Sequence, residues 1–215
     1  MFICKVKSQQ MLQEIFGVLT SKTSNDQNLC HAMWKELAFN YGLPSRHYHN
    51  LSHLENLVQE LEPCKMLLED YDVILYSVFY HDIVYDVLNS DNEERSAAMA
   101  VEALSLLGID DYKVARCVQQ ILATKNHAFH SDKDTNLFTD ADLSILGKDE
   151  KTYNRYHEQI RQEYAVYKDE DYYQGRTKAL QHFLAMPRIY KTDFFYQKYE
   201  DQARKNITQE LTLLQ

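Results

Sequence analysis

Apolar residues recur at spacings of three and four along most of this chain, the pattern of helices that each bury one face. Glycine occurs only five times and proline only three times among the 215 residues. An all-β protein of this length would need many more turn-forming residues. We therefore expect an all-α fold, a single compact bundle of about 8–10 helices.

The helix boundaries follow from the apolar pattern and from the few helix-breaking residues. One amphipathic segment ends at Gly42 and Pro44, and the next, RHYHNLSHLENLVQELEP, ends at Pro63. A fourth helix is expected to carry the stretch YSVFYHDIVYD, residues 76–86. The polar segment 126–136 is typical of a loop, and Gly147 closes a short helix over 143–146. Three long helices are predicted over 150–167, 171–186 and 192–214.

No internal repeat, low-complexity tract or change of composition marks a domain boundary. We expect one domain over residues 1–215, with the site between residues 46 and 147 and with helices 150–214 packed on it. The last helix carries an aromatic stripe of Phe194, Phe195, Tyr196 and Tyr199. Core packing is the favoured interpretation of this stripe, and a homodimer face is the alternative.

Charge and composition exclude several classes of protein. The net charge of −9 and the pI near 5.4 disfavour general binding to a nucleic-acid backbone. The start, MFICKVKSQQ, lacks the apolar core of a signal peptide, and no later run approaches the ~20 apolar residues that span a bilayer. The four cysteines, at positions 4, 30, 64 and 117, form no CxxC pair. A cytoplasmic protein with reduced thiols is expected.

An adjacent His81-Asp82 pair interrupts the apolar stretch 76–86. Burying an imidazole beside a carboxylate is unfavourable unless both groups find a partner. A divalent cation satisfies both at once. The pair therefore predicts a metal site with further ligands elsewhere in the chain.

Two further ligands are expected from neighbouring helices, His53 from the preceding one and Asp142 from a short later one. Two imidazoles and two carboxylates suit one divalent ion, whether Mn, Fe, Co, Ni or Zn, with Mg bound more weakly. Each residue also has an ordinary explanation. His53 suits an exposed helix position and His81 a hydrogen-bonded core position. Asp82 suits a structural acceptor for backbone or tyrosine groups, and Asp142 the first turn of a helix. The ordered set of all four favours the metal.

This set resembles the HD superfamily of metal-dependent phosphohydrolases. The phrases RHYHNLSHL, FYHDIVYD, NEERSA, ILATKNH and FTDADLSILG are similar to those of a little-characterised predicted phosphohydrolase family within it. The later segments YNRYHEQIRQEY, GRTKALQHFL and ARKNITQEL extend the likeness to most of the chain after residue 46. The resemblance implies an all-α enzyme that binds one divalent metal and hydrolyses a small phosphate ester, such as a nucleotide or related metabolite.

Two ligand positions have competitors. His49 and His53 lie four residues apart, and His53 is preferred because superfamily members place an apolar residue, here Leu57, four positions after the ligand. His49 then contacts the phosphate or a ligand. Asp142 is preferred to Asp140 because Leu143 follows it at once, as in the superfamily. Asp140 would then cap the helix.

Hydrolysis of a phosphate ester, which the resemblance implies, needs groups for proton transfer and positive charge for phosphate binding. Asp86 is expected on the same helical face as Asp82, as a base or a ligand-orienting group, and His127 as a phosphate contact or an extra ligand. Phosphate binding is assigned to Arg46, Lys125 and Arg161, although each also suits a solvated surface position. Glu93 and Ser96 either orient ligands or cap a helix.

Two other functions compete with the phosphohydrolase. A dinuclear iron site that uses oxygen would require extra donors, for which His49 and His127 are the candidates. A non-catalytic sensor would bind nucleotide or metal through the same fold. Nucleophilic catalysis has no support, since there is no GxSxG motif and no cysteine has a plausible histidine partner in the sequence. The five glycines are isolated, so no phosphate-binding glycine loop is expected either.

Overall fold

The structure is a computed structural model that describes residues 2–214, with side chains from Gln9 onward. Within that range the chain is all-α, as predicted, and contains no strand. The ten α-helices are α1 (Phe2–Ser21), α2 (Gln27–Tyr41), α3 (Leu51–Leu61), α4 (Tyr71–Tyr80), α5 (Asn92–Leu106), α6 (Asp111–Ala123), α7 (Lys133–Asp142), α8 (Glu150–Glu163), α9 (Asp169–Ala185) and α10 (Asp193–Leu213). Two 3₁₀ turns, Glu62–Leu67 and Leu143–Gly147, follow α3 and α7.

Aspartates begin many of these helices. The carboxylate of Asp26 accepts hydrogen bonds from the backbone of Asn28 and Leu29 at the start of α2. The side chains of Asp70, Asp110, Asp132 and Asp149 cap α4, α6, α7 and α8 in the same way. A capping carboxylate satisfies backbone N–H groups that have no partner inside the helix. Part of the acidic composition is therefore used to fix helix boundaries.

Helix α4 is the centre of the bundle. Every residue from Val73 to Tyr80 is buried, and the helix packs against α3, α5, α6 and α7. A helix that is apolar on all sides belongs in a core. The buried hydroxyl of Ser77 donates to Gln120 Oε1 of α6 at 2.6 Å. The residues that follow α4 are thereby held at a fixed place deep in the fold.

Helix α10 packs along the 3₁₀ turn Leu143–Gly147. A Cβ atom at Gly147 would lie 2.5 Å from Tyr199 Cβ, so only glycine permits this approach. Phe195 and Tyr199 are buried, whereas Tyr196 is 39 % exposed. Core packing thus accounts for part of the aromatic stripe, and a homodimer remains a prediction.

Several predicted boundaries differ from the observed ones. The fourth helix ends at Tyr80, before the His-Asp pair, and α8 ends at Glu163 rather than at residue 167. Helix α7 begins at Lys133, inside the segment predicted as a loop. Asp142 is consequently the last residue of α7, and the prediction that it lies in the first turn of a helix is wrong.

No helix among residues 2–214 has both the length and the apolar character that crossing a membrane requires. Cys30, Cys64 and Cys117 are free thiols, whereas Cys4 lies outside the side chains that the structure describes.

Candidate metal centre

Three helix ends deliver the four predicted ligands to one place. His53 is the third residue of α3, whose N-terminus is capped by Asn50. His81 and Asp82 directly follow α4, and Asp142 ends α7. Because α3 and α7 both pack against α4, these ends meet beside the core helix.

The donor atoms lie within a few ångström of one another. His53 Nε2 is 3.1 Å from His81 Nε2 and 3.2 Å from Asp142 Oδ1. Asp82 Oδ2 is 3.1 Å from His81 Nε2 and 3.8 Å from His53 Nε2. Asp142 Oδ1 is 3.8 Å from His81 Nε2. The two imidazoles and Asp82 offer three ligand atoms that are all within 4.8 Å of one another.

These separations fit a single divalent cation. An ion about 2.1 Å from each ligand places adjacent ligands of an octahedron about 3.0 Å apart. His81 Nδ1 is 3.0 Å from the carbonyl oxygen of Val78, so it donates there, and the ring turns Nε2 toward the other donors. An imidazole whose second nitrogen donates to a carbonyl is the usual arrangement of a metal-binding histidine. The donor set and its orientation therefore suit a metal.

The charges of the site point the same way. Burial alone would lower the pKa of His81, but the carboxylates of Asp82 and Asp142 and the carbonyl of Val78 together outweigh burial and raise this pKa to about 9. Burial would raise the pKa of Asp82 and of Asp142, yet the surrounding imidazoles hold both below the usual range. Burial lowers the pKa of His53. Two anionic carboxylates therefore lie together in the site, where they stabilise positive charge.

Arg46 holds the turn that carries Asp82. Its guanidinium is buried and donates to the backbone carbonyls of His49, Asp82 and Ile83. It also lies 4.9 Å from the centre of the Tyr41 ring. Arg46 therefore positions the backbone around Asp82. The predicted contact with substrate phosphate would require these donors to face solvent, and they do not.

His127 contacts the metal-facing carboxylate from the other side. Its Nε2 atom is 2.9 Å from Asp142 Oδ2, while Asp142 Oδ1 faces His53. The backbone of His127 has a φ of 51°, a region that non-glycine residues rarely occupy. Asp142 is therefore fixed at both of its oxygens.

The choice between Asp140 and Asp142 is clear in the geometry. Asp140 is completely buried and accepts hydrogen bonds from the backbone N–H groups of Lys191 and Thr192, at 2.9 and 2.8 Å. These residues lead into α10, so Asp140 joins α7 to the start of that helix. It does not cap the short helix that begins at Leu143, and that prediction is wrong.

His49 lies at the edge of the site, held by a residue that the sequence did not reveal. Its Nε2 atom is 4.0 Å from Asp82 Oδ2, and its Nδ1 atom is 2.7 Å from Glu163 Oε2. Glu163 Oε1 also accepts from the backbone N–H groups of Tyr48 and His49. Against the effect of burial, Glu163 raises the pKa of His49. His49 precedes α3 rather than lying one turn before His53 within it.

The remaining predicted residues are engaged elsewhere. Asp86 lies in a turn after α4, not on its helical face, and accepts from Leu88 N and Asn89 Nδ2 at 3.0 and 2.6 Å. Lys125 is exposed and donates to Ser90 O and to the carboxylate of Glu94.

Arg161 donates to the carbonyls of Tyr164 and Tyr167 and to Asp169, which fixes the end of α8. Ser96 Oγ accepts from Val84 N at 3.1 Å, so it holds the chain after the His-Asp pair. Glu93 lies 3.8 Å from Lys125 Nζ. None of these contacts involves the four candidate ligands.

Comparison of the chain with protein-family models, with curated proteins and with solved structures found no match.

Proposed function

We propose that this protein is a metal-dependent phosphohydrolase of the HD type, which acts on a small phosphate ester. The observation that carries the proposal is the convergence of His53 Nε2, His81 Nε2, Asp82 Oδ2 and Asp142 Oδ1 from three helix ends. The phrases after residue 46 that resemble those of HD phosphohydrolases support the same assignment. A divalent ion held by these four groups would lower the pKa of a bound water and polarise the phosphate.

The four groups differ in their exposure to solvent. His53 and His81 are almost fully buried, whereas the side chains of Asp82 and Asp142 are 18 % and 14 % exposed. The two imidazoles thus form the closed base of the site, and the two carboxylates lie at its open edge. A substrate phosphate approaches from that edge.

In this proposal His49 receives the phosphate. Glu163 holds its Nδ1 atom and turns Nε2 toward the open edge, where the ring is 18 % exposed. The raised pKa of His49 favours the imidazolium, which donates a hydrogen bond to a phosphate oxygen or a proton to the leaving oxygen. His127 keeps Asp142 in position through its contact with Oδ2.

The decisive experiment is a screen for release of inorganic phosphate from nucleotides and sugar phosphates, with Mn, Co, Ni, Mg, Zn or Fe supplied in turn. We expect metal-dependent release by the wild-type protein and none by Asp82→Ala. Asp72→Ala is the matched control, because Asp72 is a partly exposed carboxylate that pairs with Lys22 on the surface. Equal activity of wild type and Asp82→Ala would refute the assignment.

One observation favours the dinuclear alternative. Asp142 presents Oδ1 to His53 and Oδ2 to His127, and a carboxylate with this orientation can bridge two ions. Elemental analysis distinguishes the alternatives. We expect one metal per chain, whereas two irons together with oxygen uptake would favour the oxygenase. A bound metal without turnover of any ester would favour the sensor.

A further inference from the structure

A cavity that none of the four candidate metal ligands lines lies where α8 ends. It has a volume of about 290 Å³ and is formed by the C-terminal end of α8, the following loop and one face of α9. The rings of Tyr164, Tyr167 and Tyr172 line it, together with the side chains of Asp171 and Arg176. This volume is close to the lower limit of about 300 Å³ for small-molecule sites, so the cavity suits a ligand with few atoms.

The three tyrosine rings of the lining are neighbours, and we call them the tyrosine cage. The centroid of the Tyr164 ring is 5.9 Å from that of Tyr167 and 5.8 Å from that of Tyr172. The Tyr167 hydroxyl donates to the carbonyl oxygen of Val87 at 3.0 Å, which fixes that ring, and Tyr172 is buried. Since the faces of aromatic rings carry partial negative charge, several rings around one cavity attract an organic cation.

The charged groups of the lining also favour a cation. Arg176 donates through Nε and Nη2 to both oxygens of Glu210, at 2.7 and 3.0 Å, so its positive charge is compensated. The other charged side chain of the described lining is Asp171, which is exposed and forms no ion pair with any side chain that the structure describes. The cavity therefore offers a ligand one uncompensated negative charge.

A cation already lies against one ring of the tyrosine cage. The guanidinium carbon of Arg161 is 4.8 Å from the centre of the Tyr172 ring. Arg161 pairs with Asp169 and does not line the cavity, so this contact lies outside it. It shows that the Tyr172 ring holds a cation in this fold.

The remaining lining residues limit the kind of cation. Ile160 and Ala179 are apolar, and Gly175 has no side chain. A primary ammonium has three N–H donors, and its burial is unfavourable unless these find acceptors. The described lining has only one carboxylate, that of Asp171. A quaternary ammonium has no N–H group, so rings and one nearby negative charge are sufficient for it.

We propose that the tyrosine cage and Asp171 form a binding site for a small quaternary ammonium ion of the choline type. The methyl groups of the ion pack among the three rings, and the Asp171 carboxylate attracts its positive charge from the edge of the cavity. The inference does not depend on the proposed phosphohydrolase function, since no residue of the candidate metal centre takes part.

The measurement is calorimetric titration of the full chain in EDTA with choline and with 3,3-dimethyl-1-butanol, in which an uncharged carbon replaces the nitrogen. The two molecules have the same shape, so a difference in affinity reports the charge. We expect wild type to bind choline and to bind the alcohol about tenfold more weakly or worse, because the rings and the carboxylate both act on the charge. Equal affinities, or no binding of choline, would overturn the proposal.

Asp171 tests the electrostatic part. Asp171→Asn keeps the shape of the side chain and removes its charge. Glu170→Gln is the matched control, since Glu170 is the neighbouring exposed carboxylate in the first turn of α9 and does not line the cavity. The affinity for choline should fall about fivefold in Asp171→Asn, as expected for one charge in contact with water, and should not change in Glu170→Gln. Equal affinities of the two variants would overturn the assignment of Asp171.

Gly175 tests the location. It lies within α9, lines the cavity, and a Cβ atom added there would meet no atom within 4 Å. Gly175→Leu therefore fills the cavity without a clash, and leucine is a better helix former than glycine. Gly17→Leu is the matched control, since Gly17 lies in α1, lines a different cavity and has equally free space.

We expect binding of choline to be lost in Gly175→Leu and retained in Gly17→Leu. If Gly175→Leu unfolds at a lower temperature than wild type, Ala179→Leu, which fills the same cavity, takes its place. Wild-type affinity for choline in the folded variant with a filled cavity would overturn the site.

Discussion

The Arg176–Glu210 pair and the cluster of His53, His81, Asp82 and Asp142 both bury charge, yet they differ in how that charge is satisfied. Glu210 receives two hydrogen bonds from Arg176 and one from Tyr153, so each of its oxygens has a donor. In the cluster, the ring nitrogens of His53 and His81 face each other at 3.1 Å, and His53 Nδ1 has no hydrogen-bond partner among the described residues. A closed pair supports the fold, whereas converging donors favour an external cation.

The comparison predicts that substitutions in the two regions separate function from stability. In the cluster, Asp82→Ala should weaken binding of Mn²⁺ by more than about 100-fold, because losing a direct ligand exceeds the ~10–100-fold effect of losing an outer partner. Phosphate release should be lost with it. The free energy of unfolding without metal should change by less than about 1.5 kcal/mol. Metal titration and urea unfolding measure the two effects, and unchanged Mn²⁺ affinity would contradict the site.

At the closed pair the expected effect is on stability instead. Arg176→Met should lower the free energy of unfolding by about 3–5 kcal/mol, because it leaves the Glu210 carboxylate buried without its cation. The double variant Arg176→Met/Glu210→Leu should recover most of that loss, since well-packed apolar residues can replace a buried ion pair with little change in the free energy of unfolding. Urea unfolding is the measurement. Recovery by the double variant is the essential control, and its absence would mean that side-chain shape rather than charge explains the single variant.

His127 lies between these extremes, because it touches a ligand without being one of the four. His127→Gly should weaken metal binding by about 10–100-fold through loss of the hydrogen bond to Asp142. Glycine also accepts the positive φ of this position, so stability should be retained. Added imidazole should restore part of the affinity. If wild type instead binds two metals per chain and His127→Gly binds one, His127 is itself a ligand.

The closed pair also predicts a pH dependence. Burial would raise the pKa of Glu210, but Arg176 holds this pKa below its usual value in the folded protein. The resulting stabilisation is complete above the unfolded pKa of about 4.3 and is lost as the pH falls below it toward the folded pKa. Urea unfolding between pH 7 and pH 3 should show a smaller loss for Arg176→Met/Glu210→Leu than for wild type. Parallel curves would contradict the assignment.

The helices were predictable because the spacing of their apolar residues is a local pattern, and because capping aspartates directly precede many of them. The site was predictable only in part. His53, His81, Asp82 and Asp142 share a recognisable order, and the structure brings them together. The end of α4 at Tyr80 was missed, because no glycine or proline follows until Gly108. Asp86 was therefore placed on a helical face that does not exist.

Other features could not be read from sequence because they depend on contacts between distant parts of the chain. Glu163 meets His49 across 114 residues, and nothing in its own segment distinguishes it from other helix glutamates. Asp140 and Asp142 are two positions apart on one helix, yet they face α10 and the histidines respectively. Arg46 was assigned to phosphate by its charge, whereas its burial commits it to backbone carbonyls.

Lys125 gives the smallest expected effect, and it tests the limit of reasoning from charge alone. The sequence predicted that Lys125 contacts phosphate, but its ammonium group already donates to the Glu94 carboxylate and to Ser90 O. To bind phosphate it would have to leave both partners. Lys125→Met should therefore change kcat/KM for a phosphate ester by less than about twofold, as should Lys113→Met, whose lysine pairs with Asp70 at the surface. A tenfold loss in Lys125→Met alone would show that this side chain leaves Glu94 when the substrate binds.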